Sequence, residues 1–116
     1  MTRVLVCGGR DFANYGLVDH VLTALDERHI ISVIIEGGAS GADRFGKDWG
    51  ETNWCKVETY RADWDAYGPS AGPIRNKRML VEGKPDIVVA FPGGRGTANM
   101  MRQARDAGVR VIEVME

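Results

Sequence analysis

Short apolar runs alternate along the chain with longer segments in which apolar residues recur at helical spacing. Val4–Cys7, Ser32–Ile35 and Asp86–Phe91 are almost entirely apolar, as is typical of strands buried on both faces of a sheet. Lys56–Tyr60 alternates polar and apolar residues, which indicates a strand near a sheet edge. Val109–Val114 predicts a fifth strand.

The segments between these strands predict four helices. Ser40 precedes the second, and we expect its hydroxyl to cap that helix, with Asp43 three residues on. Arg61–Gly72 is the longest irregular segment, and Trp49 and Trp54 are predicted core residues. The four predicted helices are Gly16–His29, the segment after Ser40, Pro73–Glu82 and Ala98–Ala107, the last ending at Gly108.

Five strands alternating with four helices predict an α/β fold with a parallel sheet and helices on both faces. We expect strand order 3-2-1-4-5, the commonest doubly wound order for this succession of elements. Ligands of such sheets bind at the carboxyl ends of the strands, where the order reverses between strands 1 and 4. No repeat or linker interrupts residues 1–116, so we expect one domain.

Composition narrows the function classes. The chain has 116 residues, 44% hydrophobic and 27% charged, which is typical of a folded protein. Its net charge of −1 disfavours a general nucleic-acid or membrane-surface binder. No apolar run would span a membrane and no signal stretch precedes Val4, so we expect a cytoplasmic location. Cys7 and Cys55 lack metal or redox spacing and are expected to be small buried residues.

Three glycine-rich turns follow predicted strands. Glycine allows backbone N–H groups to point into a concavity, and a following helix N-terminus favours phosphate or carboxylate there. One such turn equally fits a tight connection, whereas three on one edge of a sheet favour a ligand site. The turns are Gly8-Gly9-Arg10-Asp11, Gly37-Gly38-Ala39-Ser40-Gly41 (the serine turn) and Pro92-Gly93-Gly94-Arg95-Gly96-Thr97 (the proline turn).

Familiar phosphate-loop patterns are absent. The sequence has no G-x-x-x-x-G-K-[ST], which excludes a P-loop kinase or ATPase. Gly8-Gly9 lacks the later glycine of the dinucleotide fingerprint, which disfavours a dehydrogenase. We find no metal-ligand cluster and no catalytic Ser/His/Asp set, and His20 and His29 fall on the first helix. We therefore expect neither a cofactor nor a metal.

Arginines accompany the turns: Arg10, Arg44, Arg75 and Arg95. Arg75 is predicted in the first turn of its helix, where a cation opposes the helix dipole. An acidic side chain, a bound anion or solvent would compensate, and a guanidinium suits bidentate phosphate contact. Trp64 and Tyr67 would either stack on a base or pack as a hydrophobic lid.

These motifs together resemble the SLOG superfamily, Rossmann-like proteins that include the lonely-guy phosphoribohydrolases and the DNA-processing protein A family. The resemblance implies a Rossmann-like three-layer sandwich and a nucleotide or nucleotide-derived ligand. The motifs are Gly8–Asp11, Glu36–Asp43, Ala62–Trp64, Gly72–Met79 and Ala90–Ala98.

Comparison with the lonely-guy enzymes, which cleave the N-glycosidic bond of nucleoside monophosphates, shows a partial match. Met100 stands where their motif has a glutamate, and Asn76 replaces their lysine. A carboxylate for an oxocarbenium-like transition state would then come from another turn, with Glu36, Asp11, Asp43 and Asp63 as candidates. The matching residues are Arg75, Met79, Pro92, Gly93, Gly94, Gly96 and Thr97.

The sequence thus favours a binding module for a nucleotide or ADP-ribose-like ligand, acting as a sensor, sequestering protein or carrier. The alternative is an N-glycoside phosphoribohydrolase, with Arg75, Glu36 and Asp63 as catalytic candidates; single-stranded DNA binding is disfavoured by charge. The resemblance also implies a homodimer or higher oligomer. We expect Arg75 and Arg10 to neutralise the phosphate, and Asp63 or Glu36 to bind the ribose hydroxyls. The residues expected to hold the phosphate are Gly93, Gly94, Gly96 and Thr97, with help from Gly37, Gly38, Ser40 and Gly41.

Overall fold

The computed structural model describes all 116 residues and contains five strands and five helices. The strands are β1 (Thr2–Cys7), β2 (Ile31–Glu36), β3 (Lys56–Thr59), β4 (Ile87–Ala90) and β5 (Arg110–Glu113). The helices are α1 (Tyr15–His29), α2 (Ala42–Thr52), the single turn α3 (Trp64–Tyr67), α4 (Ala71–Val81) and α5 (Arg95–Asp106). A 3₁₀ turn, Gly68–Ser70, joins α3 to α4.

All five strands are parallel and lie in the order β3-β2-β1-β4-β5, which confirms the predicted order. β1 is central, with Leu5 paired to Ile35 of β2 on one side and to Val88 of β4 on the other. Because every strand runs the same way, all five carboxyl ends, and the turns that follow them, lie on one edge of the sheet.

Two hydrophobic clusters cover the two faces of the sheet and complete a Rossmann-like three-layer sandwich. Alternate residues of a strand point to opposite faces, so Val4 and Val6 belong to one cluster and Leu5 and Cys7 to the other. The first cluster is closed by α1 and α2 through Val18, Leu22 and Trp49, and the second by α4 and α5 through Met79, Met100 and Ala104. None of the helices combines the length and apolar character needed to cross a bilayer.

The predicted cap of α2 was wrong. Gly41, not Ser40, is the N-cap residue, and no side chain caps the helix from that position. The Ser40 hydroxyl donates instead to the backbone carbonyl of Arg10 at 3.1 Å, because Gly41 has φ +73° and separates Ser40 from the helix by one residue. Asp43 does reach back over the start of the helix, but it accepts from the Ala39 N–H, at 3.2 Å, and not from that of Ser40 as a capping box requires.

Four further predictions need correction. Trp49 is buried as predicted, but Trp54 is 96% exposed, because α2 ends at Thr52 and Trp54 lies in a turn with φ +62°. α4 begins at Ala71, before Pro73, so Arg75 lies in the second helical turn. The helix dipole acts mainly on charges in the first turn, so its repulsion of Arg75 is weaker than predicted. The 61–72 segment contains the short helix α3 and the start of α4, so it is not irregular throughout. α5 begins at Arg95, inside the proline turn, and not at Ala98 as predicted.

Candidate functional site

The three glycine-rich turns touch one another at the carboxyl edge of the sheet. The Gly9 N–H donates to the Pro92 carbonyl at 2.9 Å, and the Gly9 carbonyl accepts from the Ala42 N–H at 3.2 Å. The turn after β1 thus ties the serine turn to the proline turn. The chain itself uses the Gly9 N–H, so this group is not available to a ligand.

Gly41 closes the serine turn against the backbone of the first turn. Its φ of +73° is a conformation that L side chains rarely adopt, and a Cβ there would clash with the Gly9 and Arg10 carbonyl groups. The close approach leaves the Ser40 and Gly41 N–H groups without an acceptor in the chain, whereas those of Gly38 and Ala39 are used.

A cavity of about 260 Å³, here called the arginine cavity, lies beside the serine turn. Its lining contains three arginines, one tryptophan and no acidic residue. Arg10 comes from the first turn, Arg61 follows β3, and Arg75 comes from α4. The full lining is Arg10, Gly37, Gly38, Ala39, Ser40, Arg61, Ala62, Trp64 and Arg75.

Backbone carbonyls and an aromatic ring hold the three guanidinium groups. Arg75 donates through Nη1 to the Gly37 carbonyl at 2.7 Å, and Arg61 donates through Nη1 to the Gly38 carbonyl at 3.2 Å. The Arg10 guanidinium lies 5.3 Å from the centre of the Trp64 ring, within cation–π range. None of the three arginines has a carboxylate oxygen within 4.0 Å, so most of their N–H donors remain unused.

Arg75 is the most enclosed of these arginines. Burial lowers its pKa from the ordinary value, and neighbouring Arg10 lowers it further, while Asp43 and Glu36 raise it. Its Nε donates to the Asn76 side chain at 3.0 Å, which fixes the plane of the guanidinium. An anion in the arginine cavity would offset the free-energy cost of burying the Arg75 charge and the repulsion between Arg75 and Arg10.

Glu36 is fully buried and organises the serine turn from within. Its carboxylate accepts from the Gly38 N–H at 2.7 Å and from the Thr59 hydroxyl. Both oxygens are therefore engaged by the chain, and Glu36 does not line the arginine cavity. Its predicted contact with a ribose remains untested.

Asp43 is a second buried carboxyl group at this turn. Burial raises its pKa from 3.8 to about 6, although the Ala39 N–H and the charge of Arg75 act in the opposite direction. A Cβ added at Gly37 would lie within 3 Å of both the Asp43 carboxylate and the Arg75 guanidinium, so both groups flank Gly37. This carboxyl group exchanges its proton closer to neutral pH than an ordinary aspartate does.

Neither Asp43 nor the other acidic candidates line the arginine cavity. Asp63 is exposed and caps α3, accepting from the Ala66 N–H at 3.1 Å. Asp11 is exposed in the first turn. Neither lines the arginine cavity, so the structure does not bring them together with Arg75.

The proline turn borders a different cavity, of about 380 Å³, which contains no cation. Gly93 and Gly94 keep N–H groups without an acceptor in the chain, and Thr97 is buried with its hydroxyl close to Gly93. Arg95 is exposed and does not line it. The lining is Phe91, Pro92, Gly93, Gly94, Thr97, Ala98, Met101, Glu113, Val114, Met115 and Glu116.

A larger cavity, of about 580 Å³, lies away from all three turns, between α1 and β5. It is lined by His20, Val21, Ala24, Leu25, Arg28, His29, Arg110 and Ile112, and contains none of the predicted site residues. The candidate site is therefore at the carboxyl edge.

Arg61 is the functional candidate that the sequence reasoning missed. It directly follows the last residues of a parallel strand, and its place at the end of β3 was the available signal. Arg61 is not part of a glycine-rich turn, unlike Arg10 and Arg95.

Comparison with known protein families identifies the family of this chain. A profile of the YspA, cpYpsA-related SLOG family (YAcAr) matches residues 2–67, more than half of the chain. The matched segment includes the first turn, the serine turn, Arg61 and Trp64. The chain belongs to this SLOG family. Membership indicates a nucleotide-related function.

A relative of this SLOG protein is the Gene 61 protein of Mycobacterium phage D29. The two sequences are 38% identical over 122 aligned residues, which cover 97% of this chain and 95% of the relative. The relatedness therefore extends through α4, α5 and the proline turn, beyond the residues that the family profile matches.

The glutamate position of the lonely-guy SLOG enzymes lies in the core of this SLOG protein. Met100 occupies it and is fully buried in the cluster that also contains Cys7 and Met79. Asn76, at the position of their lysine, is buried and donates to the Gly96 carbonyl at 3.2 Å and to Asn99 at 3.1 Å. Asn76 thus ties α4 to the first turn of α5.

Proposed function

We propose that this SLOG protein binds a nucleotide or nucleotide-derived ligand, with a phosphate group in the arginine cavity. The observation that carries the proposal is the convergence of Arg10, Arg61 and Arg75 on one cavity without a carboxylate partner. Unpaired cations that face one another repel, and a phosphate relieves that repulsion while accepting charge-assisted hydrogen bonds.

The remaining lining suits the rest of a nucleotide. The free N–H group of Ser40 provides an additional donor for a phosphate oxygen. Trp64 is partly exposed beside Arg10 and provides an aromatic surface on which a base stacks. Small glycines at positions 37 and 38 let the ligand approach the backbone.

Calorimetric titration with AMP tests the proposal. We expect Arg61→Gln and Arg75→Gln to weaken binding by roughly 10- to 100-fold each, the scale of a lost hydrogen bond to a charged group. Arg61 is exposed, so its substitution tests the cavity with little risk to folding. The matched control is Arg95→Gln in the proline turn, which should leave the affinity within about twofold.

Two results would contradict this assignment. If wild-type protein binds no nucleotide from a panel of mono- and diphosphates, the binding function fails. If Arg95→Gln weakens binding as much as Arg61→Gln does, the phosphate belongs at the proline turn, as the motif resemblance implies.

A second candidate, nucleoside-monophosphate N-glycosidase, is favoured by one observation at Asp43. Its carboxyl group, with a pKa of about 6, flanks Gly37 together with Arg75, and such a group can donate a proton to a leaving base near neutral pH. Incubation with AMP and chromatography of free adenine tests this. Multiple turnovers by the wild type, lost in Asp43→Asn and kept in Asp63→Asn, would make the protein a hydrolase.

A further inference from the structure

A second cationic cavity adjoins the arginine cavity on the other side of the serine turn. This lysine cavity has a volume of about 280 Å³ and shares Gly38, Ala39, Ser40 and Arg61 with the arginine cavity. The two cavities are therefore separated only by three residues of backbone, with one guanidinium bordering both. The lysine cavity is lined by Glu36, Gly38, Ala39, Ser40, Gly41, Arg44, Lys47 and Arg61.

The cations of the lysine cavity are also poorly neutralised. Lys47 has no carboxylate oxygen within 4.0 Å. Arg44 pairs only with Asp48, at 3.4 Å, with both side chains largely exposed to water, and such a pair is weak. The acidic residue of the lining, Glu36, already accepts hydrogen bonds from the Gly38 N–H and the Thr59 hydroxyl. Three cations and one carboxylate line the lysine cavity, and that carboxylate is already engaged by the chain.

We infer that the ligand carries at least two phosphoryl groups in a pyrophosphate or longer phosphate chain. One group lies in the arginine cavity, another lies in the lysine cavity, and Arg61 contacts both. This inference rests on the proposed nucleotide-binding function and names the class of nucleotide. A single phosphate carries at most two negative charges, and in the arginine cavity it would leave Lys47 without an anionic partner and Arg44 with only its exposed pair to Asp48.

A strand of nucleic acid also presents successive phosphates and is a second source of such a ligand. The net charge of −1 disfavours that source, because an extended strand needs many cations along its path. The cations here are confined to two adjoining cavities, which suits a small ligand. A short oligothymidylate nevertheless serves as one arm of the test.

The test compares calorimetric affinities for AMP, ADP, inorganic phosphate and pyrophosphate. We expect ADP to bind about 10-fold more tightly than AMP, and pyrophosphate more tightly than phosphate, because further charge-assisted hydrogen bonds form. Lys47→Gln should reduce the ratio of ADP affinity to AMP affinity toward 1, whereas Arg61→Gln should weaken the binding of both nucleotides. Lys77→Gln, an exposed lysine of α4 outside both cavities, is the matched control and should keep the preference.

Each outcome has a distinct meaning. Equal affinities for AMP and ADP, or an unchanged preference in Lys47→Gln, would overturn the two-phosphate inference and leave the proposed function standing. Failure of both nucleotides to bind would overturn both. Tighter binding of oligothymidylate than of ADP, with a steep dependence on salt, would assign the two cavities to a nucleic-acid backbone. Thermal unfolding of each variant checks that it is folded.

Discussion

The serine turn and the proline turn have similar sequences and opposite surroundings. Both follow a buried strand, both are rich in glycine, and both lead into a helix with N–H groups left free. Yet the arginine cavity beside the serine turn has three cations and no acid, whereas the cavity at the proline turn has Glu113 and Glu116 and no cation.

The contrast originates in residues that neither turn contains. Arg61 and Trp64 reach the serine turn from the β3–α4 connection, and Arg75 reaches it from α4. The acidic residues at the proline turn come from the end of β5 and the residues after it. Glycine determines how closely a ligand approaches the backbone, but neighbouring elements determine which charge it meets. A glycine-rich turn alone is therefore an incomplete criterion for a phosphate site.

The largest expected effect concerns the helix behind the proline turn. Met100→Glu should destabilise the protein by about 4 kcal/mol or more, because it places a carboxylate in a fully buried position. Met100→Leu preserves the volume and should cost less than about 1.5 kcal/mol. Urea denaturation of both variants measures the difference. A stable Met100→Glu protein would show that α5 can present an acid to the proline turn after all.

A pair of alanine substitutions compares the backbones of the two turns directly. Gly41→Ala should cost about 3 kcal/mol, from its positive φ and from the clash with the Gly9 carbonyl. A Cβ at Gly96, in the first turn of α5, meets nothing within 4 Å, so Gly96→Ala should be neutral or stabilising by up to about 1 kcal/mol. Equal losses of unfolding free energy would remove this distinction between the turns.

The pH dependence of stability tests the buried carboxyl group of the serine turn. Because the pKa of Asp43 is about 6 in the folded state and 3.8 ordinarily, the folded state holds this proton more tightly. Its stabilising contribution is complete below about pH 4 and is lost as the pH rises through 6. Relative to Asp43→Asn, the wild type should therefore lose about 2 kcal/mol between pH 4 and pH 7.

Urea denaturation at a series of pH values measures this effect. Asp48→Asn, the same chemical change at a half-exposed position on the same helix, is the matched control. An Asp43→Asn curve parallel to that of the wild type would mean that the carboxyl group titrates normally.

The smallest expected effect concerns the aromatic wall of the arginine cavity. Trp64→Ala should weaken AMP binding by about 1 kcal/mol, because both base stacking and the contact with Arg10 are lost. Tyr67→Ala, on the same short helix but outside the cavity, should change the affinity little. Equal effects of the two substitutions on the AMP affinity would contradict a specific contact between the Trp64 ring and the ligand.

The strand order was predicted correctly from the commonest doubly wound order. The sequence by itself determined the parallel five-stranded sheet and the SLOG membership. Those features depend on hydrophobic periodicity and on local motifs, such as the apolar β4 followed by Pro92 and two glycines. Predictions of local detail were less accurate at Ser40 and Trp54. In both places a backbone with positive φ, at Gly41 and at Trp54 itself, redirects the chain within one residue, and no periodic pattern records that change.

Only the tertiary structure decided which glycine-rich turn is surrounded by cations. Arg10, Arg61 and Arg75 are far apart in the chain, and their convergence requires β1 and β3 to end on the same edge while α4 crosses beside the serine turn. The same edge brings Glu113 and Glu116 to the proline turn. The net charge of the whole chain, −1, does not show this separation, because electrostatic energy depends on distances that the fold alone establishes.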